Sequence, residues 1–372
     1  MTHTPDGPLA HLHDALAALE ARGLRRSTPA PLEDGGVSFC SNDYLGLAAR
    51  FAPADVAVGS GASRLIAGEH RAHAELEAAL AAWLEVEAAL VFTSGYAANV
   101  GALSALAAPG DLVVSDALNH ASLIDGARLS RARVAVVGHN DVDAVARVLA
   151  ERAEPRAWVV VESYYSMDAD GPDLEALRRA CDAHGAALYV DEAHALGVLG
   201  PGGRGRAADA GVTPDVLVGT LGKALGSQGA FVAGSAVLRD WLWNRARSFV
   251  FSTGLSPAAA TAAARALEEA NRTPELRARV AALGARLRAG LAALDLRPLG
   301  FGHVVPVIVG TSERAVGLSA ALATEGLLVP PIRPPTVPEG TARLRFTVTA
   351  RHQESDVDRA VDVCRRALRH ER

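Results

Sequence analysis

Between Ala88 and Ala233 short apolar runs alternate with helix-patterned stretches, and this alternation constrains the fold more than any other feature of the chain. The runs Ala89–Phe92, Leu112–Ser115, Val134–Val137, Trp158–Glu162, Ala187–Asp191, Val216–Val218 and Ala230–Ala233 are short, β-branched and bounded by turn residues, as buried strands are. Helical spacing predicts helices over Ala97–Ala107, Val142–Glu151 and Leu174–His184. Strand–helix alternation implies an α/β fold with a mainly parallel central sheet and helices on both faces. In open sheets of this kind ligands sit beyond the carboxyl ends of the strands. The polar residues at those ends are therefore the candidates for function.

They form a coherent set. Ser94, Gly95 and Tyr96 follow the first run and open a helix, whose backbone amides favour a phosphate. Asn119, His120, Ala121 and Ser122 follow the second. Ser163 to Asp168 follow the fourth, and Asp191, Glu192, Ala193 and His194 end the fifth. Thr220 and Lys223 follow the next, in the stretch Asp215–Gly229, where Gly222, Gly226 and Gly229 let backbone approach a ligand closely. A lysine there is partly desolvated, which lowers its pKa and frees an amine able to attack a carbonyl. The loop is not a phosphate-binding P-loop, because Leu217 and Ala224 stand where that pattern needs Gly and Ser or Thr. Taken singly, Ser94-Gly95 reads as a turn, His120 as a core histidine and Asp191 as a cap. At one sheet edge they supply an amine, a carboxylate, a flat imidazole and a phosphate cradle, an inventory that fits pyridoxal 5'-phosphate.

Composition excludes other classes. The 372 residues are about half apolar, at 49%, so the chain can bury a large core with a second, smaller domain. A net charge of −5 without a basic block argues against nucleic acid or an anionic membrane as partner. Cys40, Cys181 and Cys364 form no CxxC pair and read as reduced, buried thiols of a cytoplasmic protein. The N-terminus, with Pro5, Asp6 and Pro8, lacks a signal-peptide pattern. The apolar stretch Ala88–Ala108 is broken by Thr93, Ser94, Gly95, Asn99 and Ser104, so it reads as strand, turn and helix and not as a membrane span.

Outside this core the spacing predicts an amphipathic helix over His11–Ala21, with Leu12, Leu16 and Leu19 on one face. Arg22, Arg25 and Arg26 follow, as a solvated helix end or an anion site. Val37–Cys40 reads as a strand and His70–Leu84 as a helix, on which His70 and His73 read as solvated rather than as metal ligands. Gly200–Gly205 matches GxGxxG by letters, but Pro201 spoils the dinucleotide reading and leaves a loop. Ser256–Gly290 is helical. Val304–Val309, Glu313–Glu325, Leu344–Val348 and Ser355–Leu368 alternate strand and helix in a small α+β C-terminal domain. The proline-fixed loop Ile332–Arg345 presents Arg333, Thr336 and Arg345 either for carboxylate recognition or as a surface turn. These readings give an N-terminal arm over 1–45, a large domain over 46–262 and a small domain over 263–372.

Ser41–Leu47, Gly59–Leu65, Ser94–Asn99, Asn119–Ser122, Ser166–Asp168, Asp191–His194, Thr220–Gly226 and Ile332–Arg345 together resemble the α-oxoamine synthases, pyridoxal phosphate enzymes of fold type I. The Thr-Leu-Gly-Lys and Asp-Glu-Ala-His segments are family-wide, whereas Ile-Arg-Pro-Pro-Thr-Val-Pro is similar to the branch that serves biotin synthesis. The resemblance implies that Lys223 holds the cofactor, Asp191 pairs with its pyridine nitrogen and His120 stacks on its ring. It implies that Gly95 and Tyr96 contact the phosphate, and that Ser166, His194 and Thr220 bind the cofactor's oxygens. It also implies a homodimer with the active site at the interface, where Ser252 and Thr253 reach the partner's phosphate. Arg25 and Thr336 would contact substrate, with Arg345 a candidate for the amino-acid carboxylate. The implied substrates are L-alanine and a pimeloyl thioester, on CoA or a carrier protein; the related reading is glycine with acetyl-CoA, and a non-enzymatic cofactor-binding regulator is disfavoured because Lys223 and Asp191 are present. The chain departs from the family in a short segment between Leu47 and Gly59 and in Ala195-Leu196 after the histidine.

Overall fold

A computed structural model describes residues 9–25, 35–53 and 55–370. In chain order the elements are α1 His11–Ala21, β1 Val37–Ser38, α2 Arg71–Leu84, β2 Ala88–Phe92, α3 Gly95–Leu106, β3 Leu112–Asp116, α4 Ala121–Ser130, β4 Arg133–Val137, α5 Val142–Glu151, β5 Ala157–Glu162, α6 Leu174–His184 and β6 Ala187–Asp191. They continue with α7 Gly205–Asp209, β7 Val216–Thr220, β8 Ala230–Gly234, α8 Ala236–Arg245, α9 Arg247–Val250, α10 Pro257–Arg272, α11 Glu275–Ala292, β9 Val304–Gly310, α12 Ser312–Thr324, β10 Leu327–Leu328, β11 Pro331–Ile332, β12 Ala342–Thr347 and α13 Glu354–His370. The chain divides into two compact units, 42–282 with 349–351, and 1–41 with 283–348 and 352–372. The division thus falls inside α11, where the sequence reading placed it ahead of that helix.

The larger unit is built on a seven-stranded sheet in the order β2-β8-β7-β6-β5-β3-β4. All pairs from β7 to β4 are parallel, and β8 runs antiparallel to both β2 and β7. Period-2 alternation assigns the faces. Val216 and Val218 of β7 pack with residues of α3, α4, α8 and α9, whereas Leu217 between them packs with α2 and α10. A third cluster joins β3, β5 and β6 to α5 and α6. Burial on both faces is why the strands read as unbroken apolar runs.

In the smaller unit β12 lies between β11 and β9, antiparallel to both, and β1 pairs with β10. Its core gathers Phe39, Leu287, Val305, Leu322, Phe346 and Val361. Among the described residues no helix is long and apolar enough to cross a membrane, and no cluster of His, Cys, Asp and Glu could hold a metal. Cys40 is half-buried, and Cys181 and Cys364 are buried; none is in a disulfide.

Several expectations change. His73 is fully buried, not solvated, because positions 73, 76, 77 and 80 share the face of α2 turned to the core. Its Nδ1 accepts the His70 N–H at 3.2 Å and its Nε2 faces the Leu255 carbonyl at 2.6 Å, so that nitrogen must donate. The strand expected over 37–40 spans only Val37–Ser38. The 200–205 loop contains a 3-10 turn, Pro201–Gly203, and leads into the short helix α7. Arg26 lies outside the described residues.

Gly226, in the lysine loop, has φ +56°, and a Cβ there would lie 2.4 Å from the Ala48 nitrogen. Gly185, the C-cap of α6, has φ +59° but open space around it. Gly226→Ala should cost roughly 2–4 kcal/mol through backbone displacement, and Gly185→Ala only about 1 kcal/mol of left-handed strain. Thermal unfolding of both variants checks this; equal Tm losses would remove the steric part of the argument.

Candidate active site

The carboxyl ends of the parallel strands bring the chemistry together. Ser94 caps α3, its Oγ accepting the Ala97 N–H at 3.1 Å, so the first turn presents the backbone amides of Gly95 and Tyr96 outward. A Cβ on Gly95 would meet no protein atom within 4 Å, so the space in front of that turn is clear. The Tyr96 side chain is exposed, and its hydroxyl donates to Asp125.

His120 caps α4 with its ring. Its Nδ1 accepts the Ser122 N–H at 3.2 Å and lies 2.8 Å from the Ser122 Oγ, while its backbone N–H donates to Glu162 Oε1 at 2.7 Å. Burial lowers the His120 pKa; Lys223 acts in the same direction and Asp191 opposes them. Glu162, at the end of β5, is pushed up to about 8, first by burial and then by Asp191, against the pull of Lys223 and the His120 N–H.

Asp191 ends β6, fourth of the seven strands, and is 7% exposed. Its Oδ2 accepts the Asn99 amide at 2.7 Å and its Oδ1 the Ala193 N–H at 2.8 Å. The neighbouring Glu192 is fully buried and pins two segments. It accepts from the Ser163 hydroxyl at 2.5 Å and from the backbone N–H groups of Arg206 and Ala207 at 3.1 and 2.7 Å. His194 is half-buried, with Nδ1 2.6 Å from the Tyr44 hydroxyl. Thr220 Oγ1 donates to the Gly229 carbonyl at 3.2 Å and accepts the Gly222 N–H at 3.2 Å, closing the loop that carries half-buried Lys223. Ser166 is half-buried in the loop after β5.

The remaining candidates lie elsewhere. Ser252 and Thr253 lie in a segment tied by the bonds of Ser60 and His73 to the Leu255 carbonyl and of Gly254 to the Ala62 carbonyl. Arg25, Thr336 and Arg345 belong to the smaller unit. Arg25 is exposed and pairs with Glu20 at 2.5 Å. Arg333 donates to the Gly23 carbonyl, joining the turn that precedes Arg25 to the proline loop that carries exposed Thr336. Arg345 is 5% exposed on β12 and donates to Thr347 Oγ1 at 3.2 Å.

Sequence reasoning missed three supports of this edge: Asn99, Glu162 and the Asp116–His139–Asp170 triad. Asn99 registered as a break in an apolar stretch and as the end of a family-like segment, with no role of its own, and Glu162 only as the last residue of a strand. The chemistry of the expected residues gathered at this edge suits a phosphorylated pyridine aldehyde. A clear helix N-terminus suits a phosphate, a buried carboxylate a ring nitrogen and an amine an aldehyde.

The profile of the aminotransferase class I and II family matches residues 34–363. An 8-amino-7-oxononanoate synthase of Anaeromyxobacter dehalogenans (strain 2CP-1) is 49% identical over 373 residues, covering 95% of this chain and 94% of that protein. The chain belongs to the class I and II aminotransferase family, in its α-oxoamine synthase branch. An 8-amino-7-oxononanoate synthase of Marinobacter nauticus is 48% identical, over 87% of this chain and 85% of its own. Among solved structures, a Sphingomonas wittichii serine palmitoyltransferase has a TM-score of 0.90 at 29% identity, covering 99% of both chains. A structure of SPT with PLP internal aldimine has a TM-score of 0.88 at 28% identity, covering 98% of this chain and 99% of that one. These likenesses confirm the expected fold type I architecture and its cofactor class.

Behind the site, His139 is held between Asp116 at 2.9 Å and Asp170 at 3.1 Å, and its ring meets Tyr165 edge-on at 4.6 Å. Burial opposes its charge, but the two carboxylates outweigh burial and raise its pKa to about 10. A histidine whose folded pKa exceeds its unfolded value stabilises fully below the unfolded pKa, and that stability is lost as pH rises through the folded value. His139→Asn should therefore cost roughly 2 kcal/mol at neutral pH. It should also flatten the fall of Tm between neutral pH and about 10. An unchanged slope in that window would exclude the charged triad.

Proposed function

We propose that this chain catalyses the decarboxylative condensation of L-alanine with a pimeloyl thioester, giving 8-amino-7-oxononanoate, carbon dioxide and CoA in biotin synthesis. The observation that carries the chemistry is the strand-end set of one sheet, where an amine loop, a buried carboxylate and a capping imidazole stand at the carboxyl ends of β7, β6 and β3. Full-length relatives of that name, at 44–50% identity, carry the choice of substrates. Serine palmitoyltransferases share the fold at 28–29% identity, and the Ile332–Pro338 run supports the biotin branch over them and over the glycine and acetyl-CoA reading.

Pyridoxal phosphate, when bound, supplies an electron-accepting ring for charge that develops at the amino acid's Cα. We assign Lys223 Nζ as the group that would hold the cofactor's aldehyde and whose amine would take the Cα proton of the amino acid. Asp191 would keep a proton on the pyridine nitrogen, and His120 would stack on the ring. The backbone N–H groups of Gly95 and Tyr96 bind the phosphate, and Ser166, His194 and Thr220 bind the cofactor's oxygens. Arg345 takes the amino-acid carboxylate, and Arg25 and Thr336 contact substrate. We further propose a cytoplasmic homodimer in which Ser252 and Thr253 of one copy reach the phosphate held by the other.

Lys223→Ala should lose the borohydride-reducible cofactor adduct and at least about a thousandfold in turnover; a retained adduct would sink the assignment. Asp191→Ala should abolish turnover while keeping some cofactor bound. A matrix of amino acids against acyl thioesters, read by thiol release, decides the substrates. Release with glycine and acetyl-CoA exceeding that with alanine and a pimeloyl thioester would refute the biotin reading.

A further inference from the structure

We propose that Asn99 is a positioning residue that, with Tyr189 and Ser122, fixes His120 as an imidazole protonated on Nε2 alone and couples it to Asp191. The four side chains come from four places: Asn99 from α3, Ser122 from α4, Tyr189 from β6 and His120 from the cap of α4. Asn99 is 2% exposed, and Ser122 and Tyr189 are fully buried, so water does not complete their hydrogen bonds.

The donors and acceptors follow in one direction. An ionised carboxylate only accepts. At 2.7 Å from Asp191 Oδ2, Asn99 must therefore present its NH2 group and not its oxygen. That orientation turns Asn99 Oδ1 to Tyr189, whose hydroxyl donates to it at 2.8 Å. The second amide hydrogen of Asn99 goes to Ser122 Oγ at 2.9 Å. With its oxygen accepting there, the Ser122 hydroxyl gives its own hydrogen to His120 Nδ1 at 2.8 Å. The Ser122 backbone N–H reaches the same nitrogen at 3.2 Å. Two donors on Nδ1 leave no room for a proton, so the ring proton sits on Nε2.

The charged groups around the ring are Glu162 on β5, Asp191 on β6 and Lys223 after β7. Asp191 alone would invite a proton onto the imidazole; Asn99 takes up that carboxylate and transmits the opposite polarity. The ring stays neutral and flat beside a carboxylate that is free to hold a pyridine proton. This consequence for catalysis rests on the cofactor roles given above, but the tautomer is a property of the protein's own atoms.

The test is 15N NMR of the full-length holoenzyme labelled at histidine, with His120 assigned by its loss in His120→Gln. Wild type should show a bare Nδ1 and a protonated Nε2 from about pH 6 to about pH 8. Asn99→Asp is isosteric but accepts where Asn99 donates. It should turn the Ser122 hydroxyl around and place a proton on His120 Nδ1. Ser122→Ala should give a mixture of tautomers, weaker cofactor retention in dialysis and about tenfold lower kcat with little change in KM. A wild-type His120 protonated on Nδ1, or a bare Nδ1 in Asn99→Asp, overturns the proposal. If Asn99→Asp does not fold, a Ser122→Ala spectrum identical to wild type overturns it. Failure of the cofactor roles would appear separately, as a borohydride adduct surviving in Lys223→Ala.

Discussion

The hydrogen bond from the Asn99 amide to Asp191 Oδ2, 2.7 Å long, holds a carboxylate in place at the end of the middle strand of the sheet. Burying a carboxylate is costly unless hydrogen bonds or opposite charge meet it. Here the cost recurs three times on adjoining strands, at Asp191, Glu192 and Glu162, all 7% exposed or less. Each is met differently. Asp191 has an amide and a backbone N–H. Glu192 has a hydroxyl and the first N–H groups of α7, so its charge organises a loop. Glu162 has one backbone N–H, and burial, then the nearby Asp191, raises its pKa to about 8. The edge therefore gives two donors to Asp191, where the proposed chemistry needs a carboxylate, and raises the pKa of Glu162 one strand away.

Most of this architecture is legible in the sequence because parallel strands buried on both faces have no polar positions to interrupt them. Each expected strand of the large sheet lies inside or within two residues of an observed one. Period and turn chemistry then put the polar residues at the strand ends. What escaped is what tertiary packing alone decides. Helix α4, Ala-Ser-Leu-Ile-Asp-Gly-Ala-Arg-Leu-Ser, is a poor helix by composition. Gly126 inside it lets it approach α3 so closely that a Cβ there would lie 2.9 Å from the Asn99 carbonyl. The close approach that lowers its helix propensity is what sets Ser122 against Asn99.

His73 was misread for the same reason. By spacing, a histidine at the start of a helix with a second three residues away looks solvated. Only the packing of α2 in the core with α10 turns it inward, and a backbone carbonyl at Leu255 then fixes its proton. Asn99 was invisible because an asparagine in an apolar run signals only a break. Its role appears when a strand ninety-odd residues later brings up Asp191 and Tyr189.

His120 and His139 show how far side-chain identity falls short of function. Both sit near the carboxyl edge of the sheet, and burial pushes both toward the neutral form. His139 lies between two carboxylates and stays charged, with its pKa raised to about 10. His120 has a carboxylate nearby too, but burial outweighs it and Lys223 adds positive charge, so the pKa moves the other way. Direct bonding to carboxylates therefore separates the two: His139 meets two of them, whereas burial prevails at His120. If His120 stacks on the cofactor as proposed, the second arrangement would suit a ring nitrogen that must hold a proton, because a charged imidazole there would oppose that proton.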